Sequence, residues 1–275
     1  MKEQIAQNLQ SLLTWLASQT NNILSGIIAS FIVISVAEAY GLGQILFKNR
    51  RDRRVWKLRK PSELRIVSGS VTDTNPFVQT PTSWPDANAA SILIQKARVI
   101  YPKARVVHSF SCNPDDLTSD LITVGGPVFN EATRELIHRI GSFVSFKQAG
   151  VVNGEAYYSL VVQADEYTPE YQGEKVYRDF GAIVRMKNPL CVHLNDSILV
   201  VGCETFGVLA SALVLADDEV ARSARKKLLS HLSLGKRVSD FVAVFSCEAL
   251  RYSVGAVQLV KFYRLDVDGC MNTVA

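Results

Sequence analysis

Two stretches of the chain place glycines and polar residues between an apolar strand and a helix, the arrangement in which backbone amides can meet a ligand. The first is Leu121-Ile-Thr-Val-Gly125-Gly126-Pro127-Val-Phe-Asn130-Glu131-Ala-Thr133-Arg134. Gly125 and Gly126 let a ligand approach the backbone, and a helix starting near Asn130 would offer free N–H groups and a positive dipole end to a phosphate. Asn130, Thr133 and Arg134 could add side-chain bonds to phosphate or ribose. The second stretch, Ile198-Leu-Val-Val-Gly202-Cys-Glu204-Thr205-Phe-Gly207, repeats the plan. Here Gly202 permits the tight turn, while Glu204 could accept ribose hydroxyls or act as a carboxylate in chemistry. Glycine after a strand and Asn or Thr at a helix start are also ordinary turn and cap chemistry. Neither loop matches G-x-G-x-x-G or the P-loop pattern.

A third candidate is Tyr177-Arg178-Asp179-Phe-Gly181-Ala-Ile-Val-Arg185-Met-Lys187-Asn188-Pro189. Asp179 and Arg185 flank an apolar strand, so they read either as strand-edge and turn residues or as groups reaching the crevice to complete a nucleotide site. Nucleophilic catalysis has no local signature: there is no G-x-S-x-G, and no cysteine sits in a catalytic pattern with a histidine. The four histidines, His108, His138, His193 and His231, lack paired ligand spacing, so no metal site is expected. Cys112, Cys191, Cys203, Cys247 and Cys270 are odd in number without C-x-x-C spacing, the pattern of reduced thiols in a cytosolic compartment.

The elements that would hold these loops alternate. Glu63 to Ser70 reads as a strand, Pro85 to Ile100 as a helix, Arg105 to Phe110 and Asp120 to Gly125 as strands, Ser197 to Gly202 as a buried strand feeding a helix over Val208 to Leu215, and Asp240 to Ser246 and Val254 to Tyr263 as closing strands. Between them, from Gly141 to Asn188-Pro189, short strands around Asn153-Gly154 indicate an inserted β-meander with a type I′ turn. The expected fold is α/β: a doubly wound, mainly parallel sheet preceded by an N-terminal transmembrane helix. In such sheets ligands bind at the carboxyl ends of the strands, where loops on adjacent strands would face one crevice.

Upstream, residues Gln4 to Ala37 carry no charged side chain, and beyond them lies a cluster of Lys48, Arg50, Arg51, Arg53, Arg54, Lys57, Arg59 and Lys60. About 20 apolar helical residues cross a bilayer core, and residues 22–47 supply them. Basic residues prefer the cytoplasmic side, which places the N-terminus outside. Residues 1–21 then form an extracytoplasmic or interfacial segment, 22–47 a single-pass inner-membrane helix, 48–62 a basic juxtamembrane linker that holds anionic lipid headgroups, and 63–275 a cytoplasmic Rossmann-like domain. The chain has 30 basic and 26 acidic side chains; setting aside Lys2, those eight basic residues, and Glu3, Glu38 and Asp52 leaves 21 basic and 23 acidic. The domain is therefore near neutral, and nucleic acid is not its expected partner.

Taken together, the anchor, the basic junction, Val-Gly125-Gly126-Pro127-x-x-Asn130-x-x-Thr133 and Gly202-x-Glu204-x-x-Gly207 resemble bacterial membrane-anchored proteins with a cytosolic Rossmann-like domain, broadly similar to the SLOG and TIR-type domains of defence systems. The resemblance implies sensing or processing of a nucleotide-derived ligand. Three functions stay open: a sensor or effector binding such a ligand across residues 125 to 134 and 202 to 207, with Asp179 and Arg185 as further contacts; a nucleotide-processing N-glycosidase or hydrolase using Glu131 or Glu204; and a membrane-anchored scaffold. A homo-oligomer also stays open.

Overall fold

A computed structural model of the protein describes residues 10–11, 55–56, 58, 64–69, 84–192, 195–233, 240–251 and 253–265. The chain divides into two compact units, Met1–Arg51 and Asp52–Ala275. In the first, Gln10 and Ser11 are helical and exposed. The expected spanning segment, 22–47, and the basic cluster's charged residues lie outside the described residues. Among those described, no helix is long and apolar enough to cross a membrane.

The second unit runs β1 (Arg65–Ser68), α1 (Trp84–Ile100), β2 (Arg105–His108), α2 (Pro114–Thr118), β3 (Leu121–Val124), α3 (Glu131–Arg139), β4 (Val144–Val152), β5 (Glu155–Val162), β6 (Asp165–Tyr167), β7 (Glu170–Gln172), β8 (Lys175–Lys187), β9 (Asp196–Gly202), α4 (Thr205–Ala216), α5 (Arg222–Ser233), β10 (Phe241–Ala249) and β11 (Val254–Arg264). The main sheet has the order β11-β10-β8-β9-β3-β1-β2, with β7 paired to β8. Its run β2-β1-β3-β9 is parallel, whereas β8, β10 and β11 continue it antiparallel. The α/β class with a parallel core is therefore as expected, extended by an antiparallel half.

Burial explains the strand sequences. β3 and β9 are buried at every position because both faces of the sheet are covered, which is why they read as unbroken apolar runs. One face packs Leu93 and Ala97 of α1, Leu209 and Val214 of α4 and Leu228 of α5 against Ile66, Ile122 and Ile198. The opposite face packs Leu136 of α3 and Val144 and Leu160 of the insert against Leu121, Leu199 and Val201. The insert is a separate antiparallel sheet, β4-β5-β6. Asn153 and Gly154 at its first turn have φ of 54° and 82°, the left-handed pair that a type I′ turn needs. The meander ends earlier than its sequence suggests, since β8 leaves it to lie between β9 and β10 in the main sheet.

The stretch expected to be a linker contributes to the core: Val55, Trp56 and Leu58 are buried. The Trp56 indole Nε1–H donates to the Leu215 carbonyl at 3.0 Å. The guanidinium of Arg225, itself buried, donates to the carbonyls of Val214 at 2.6 Å and Leu215 at 2.8 Å, and pairs with Asp217 at 3.1 Å. Asp217 ends α4 in the left-handed conformation, φ 66°. Two side chains from outside the helix, one of them distant in sequence, thus satisfy carbonyls that the end of α4 leaves open.

Trp56→Ala should lower the unfolding free energy by about 3–5 kcal/mol, read from urea denaturation. A fragment beginning at residue 61 should unfold at lower urea than one beginning at residue 52. Equal midpoints would restore these residues to the role of a linker.

Candidate functional site

Because β3 and β9 are parallel neighbours, with Val124 opposite Val200, both glycine loops leave the same edge of the sheet. They meet there, since a Cβ on Gly126 would lie 3.8 Å from the Gly202 carbonyl oxygen. Between them and the insert lies a cleft of about 690 Å³. The first loop lines it with Gly126, Pro127, Val128 and Phe129, and the second with Gly202, Cys203, Glu204 and Thr205. Asp86, in the first turn of α1, closes one side. The insert and the β7–β8 hairpin supply Phe146, Glu155, Tyr157, Tyr158, Tyr171 and Glu174. This position, at the carboxyl ends of parallel strands, is where open α/β sheets bind ligands.

Gly125 has φ 104°, a conformation that favours glycine, and its N–H donates to the Val200 carbonyl at 3.0 Å. It shapes the first turn without lining the cleft. The residues beyond it serve the fold. Asn130 caps α3 by accepting from the Thr133 N–H at 3.2 Å, while its amide donates to the carbonyls of Val67 at 3.0 Å and Val124 at 2.9 Å. The Thr133 hydroxyl donates to the Gly125 carbonyl at 3.0 Å. Both side chains are buried and tie the loop to β1 and β3, and neither lines the cleft. Arg134 makes an exposed ion pair with Glu131 at 3.1 Å; these two residues also lie outside it. The capping alternative thus explains Asn130 and Thr133.

In the second loop, the N-terminus of α4 is closed by the chain itself. The buried Asp179 carboxylate accepts from the Glu204 N–H at 3.1 Å, from the Phe180 N–H at 2.7 Å and from the Gly207 N–H. Gly207 must be glycine because a Cβ there would overlap the Phe180 carbonyl. Asp179 is therefore a helix cap supplied from another strand, occupying the Glu204 and Gly207 amides at the start of α4. Burial pushes its carboxyl up to about 7, against the opposing pull of those amides.

Glu204 instead faces the cleft and accepts from the Tyr171 hydroxyl at 2.9 Å. Its carboxyl is raised, chiefly by burial, with Glu155 adding to the shift and the Tyr171 hydrogen bond opposing it. The Tyr171 ring stands 4.9 Å from that of Tyr157. Space for Tyr157 comes from Gly150, beside a bulge in β4, where a Cβ would come within 2.6 Å of the ring.

Arg185 lies elsewhere. It pairs with Ile198 near the start of β9, whereas the cleft sits at Gly202, opposite Gly181. Its guanidinium donates to the Val55 carbonyl at 2.9 Å and lies over the Phe241 ring at 4.7 Å. Burial lowers it to about 10. Its job is to hold residue 55 against the sheet.

No three His, Cys, Asp or Glu among the described residues are grouped to hold a metal. Burial raises the thiols of Cys112, Cys203 and Cys247, which disfavours a thiolate nucleophile at these positions. The sequence reading missed Asp86, Glu155 and the tyrosines. Their signal was a Tyr157-Tyr158 pair and Tyr171 near the Asn153-Gly154 turn.

Removing the trans cap should cost stability: Asp179→Ala is expected to lose about 2 kcal/mol or more, measured by urea denaturation. Because the folded carboxyl rises from 3.8 to about 7, its proton-linked contribution is fully present below the unfolded value and is lost as pH rises through the folded one. The wild type should therefore lose stability relative to Asp179→Asn between pH 4 and 7; parallel pH profiles would exclude this carboxyl as the cause. Neither a family model nor a curated protein matches the chain, and its functional reading is carried by the geometry of this cleft.

Proposed function

We propose that residues 63–275 are a cytosolic module, held at the inner membrane by residues 22–47 and by basic side chains on anionic headgroups, that binds a small nucleotide-derived ligand and reports its presence as a sensor or effector, a role suited to bacterial defence. The observation that supports this reading is the meeting of the Gly126 and Gly202 loops from adjacent parallel strands in one cleft of about 690 Å³. That volume suits a small ligand. Aromatic rings offer faces for a base, and the Glu204 carboxylate can accept from ribose hydroxyls. The contacts now assigned are Gly126, Gly202, Glu204 and Thr205, joined by Phe129, Tyr157, Tyr158 and Tyr171.

A second reading, a nucleotide-processing enzyme, draws on one specific feature. Glu204 is a partly buried cleft carboxyl with a raised proton affinity, the state suited to a general acid. Glu131 drops out of that reading because it is exposed and paired with Arg134.

The full-length protein, purified in mild detergent, should show a rise in melting temperature with at least one member of a panel of nucleosides, nucleotides and dinucleotides at millimolar concentration. Tyr157→Ala and Gly150→Val, which remove or displace the aromatic wall, should abolish that rise. A flat response across the panel rejects the module. Conversion of the stabilising ligand by wild type but not by Glu204→Gln would move the assignment to the enzyme.

A further inference from the structure

The walls of the cleft are unsuited to phosphate. Four carboxylates, Asp86, Glu155, Glu174 and Glu204, line it, and no Lys, Arg or His is among the described lining residues. At two nearby helix starts the chain's own side chains take some of the amides: Asn130 accepts from the Thr133 N–H in α3, and Asp179 accepts from the Glu204 and Gly207 N–H groups at the start of α4. A basic side chain, the usual partner of a phosphate, is therefore missing from the described lining of the cleft. What remains is aromatic surface, including Tyr157 and the exposed Phe129, together with acceptor oxygens. Such a surface stacks planar rings, accepts hydrogen bonds from hydroxyl and amino groups and attracts cations. A phosphate monoester, carrying a charge of about −1.5 to −2 at neutral pH, would enter against the field of these carboxylates.

From this we infer that the ligand is a phosphate-free nucleoside, neutral or cationic in its base, and that phosphorylation of the ligand excludes it. The inference rests on the ligand-binding function proposed above and narrows its substrate class. The cleft would then distinguish a nucleoside from its nucleotide and respond to reactions that remove or add the phosphate.

Isothermal titration calorimetry of the full-length protein compares adenosine, guanosine, cytidine, uridine and the cationic 1-methyladenosine with the 5′-monophosphate of each. At least one nucleoside should bind, with its monophosphate binding at least tenfold more weakly. The gap should narrow in the Glu155→Gln/Glu174→Gln double variant, whose substitutions lie at the first residue of β5 and in the β7–β8 turn, and also at high salt, which screens exposed charge. A monophosphate that binds as tightly as its nucleoside, or more tightly, overturns the inference while leaving the ligand-binding function standing. A gap unchanged in the double variant and at high salt overturns the electrostatic cause, and the inference with it. Heat from none of the ten compounds overturns the inference, while a rise in melting temperature with another member of the nucleotide panel keeps the ligand-binding function standing.

Discussion

The hydrogen bonds from the backbone of Phe180, Glu204 and Gly207 to the Asp179 carboxylate are the constraint on which the cleft depends. A helix entering from a strand exposes N–H groups that have no partner within the helix. α4 is apolar along nearly all its length and almost wholly buried, so water does not reach those groups from its sides, and its own N-cap residue, Glu204, makes no capping bond. The cap must come from another strand. β8 provides it, and in doing so fixes the path of residues 202 to 207.

This requirement gives the antiparallel half of the sheet a purpose. β8 lies beside β9 with Gly181 opposite Gly202, which brings Asp179 level with the start of α4. The approach is so close that a Cβ on Gly181 would overlap the Gly207 backbone. Antiparallel pairing with β10 then buries the edge that β8 would otherwise expose. The charge of Asp179 is held by directed amides rather than by a cation, and desolvation still raises its carboxyl. Fold and cleft are thus coupled through one side chain that does not line the cleft.

Strand and helix periodicity made the parallel core legible. β1, β3, β9 and α1 lie where unbroken apolar runs and helical spacing place them, and the Asn153-Gly154 turn follows from the left-handed preference of its residues. α5 was less visible, because its sequence, Arg222–Ser233, is rich in basic residues and presents a narrow apolar stripe. The location of the two loops was legible as well, but not the work of each residue. Asn130, Thr133 and Asp179 are the kinds of side chain that bind ligands, and the same hydrogen-bonding capacity serves buried turns; only the partners decide between the two. Trp56 and Arg185 escaped for a different reason. Their roles arise from contacts across long sequence separations, to Leu215 and to Val55, which no local pattern records.

The far wall of the cleft illustrates the same point at larger scale. The Tyr157 ring reaches the glycine loops only because the insert is docked on the main sheet, and several ties set that docking. The Cys203 thiol donates to the Tyr167 carbonyl at 3.2 Å; the Tyr263 hydroxyl donates to Asp165 at 2.6 Å; and Lys261 pairs with Asp165 at 2.7 Å. The exposed ion pair adds little energy on its own, whereas the buried contact between the Tyr167 and Tyr263 hydroxyls lies where water is excluded. β11 therefore helps position an aromatic wall to which it contributes no lining residue. The aromatic faces that line the cleft beside the partly occupied starts of α3 and α4 thus take their geometry from how the insert sits on the sheet.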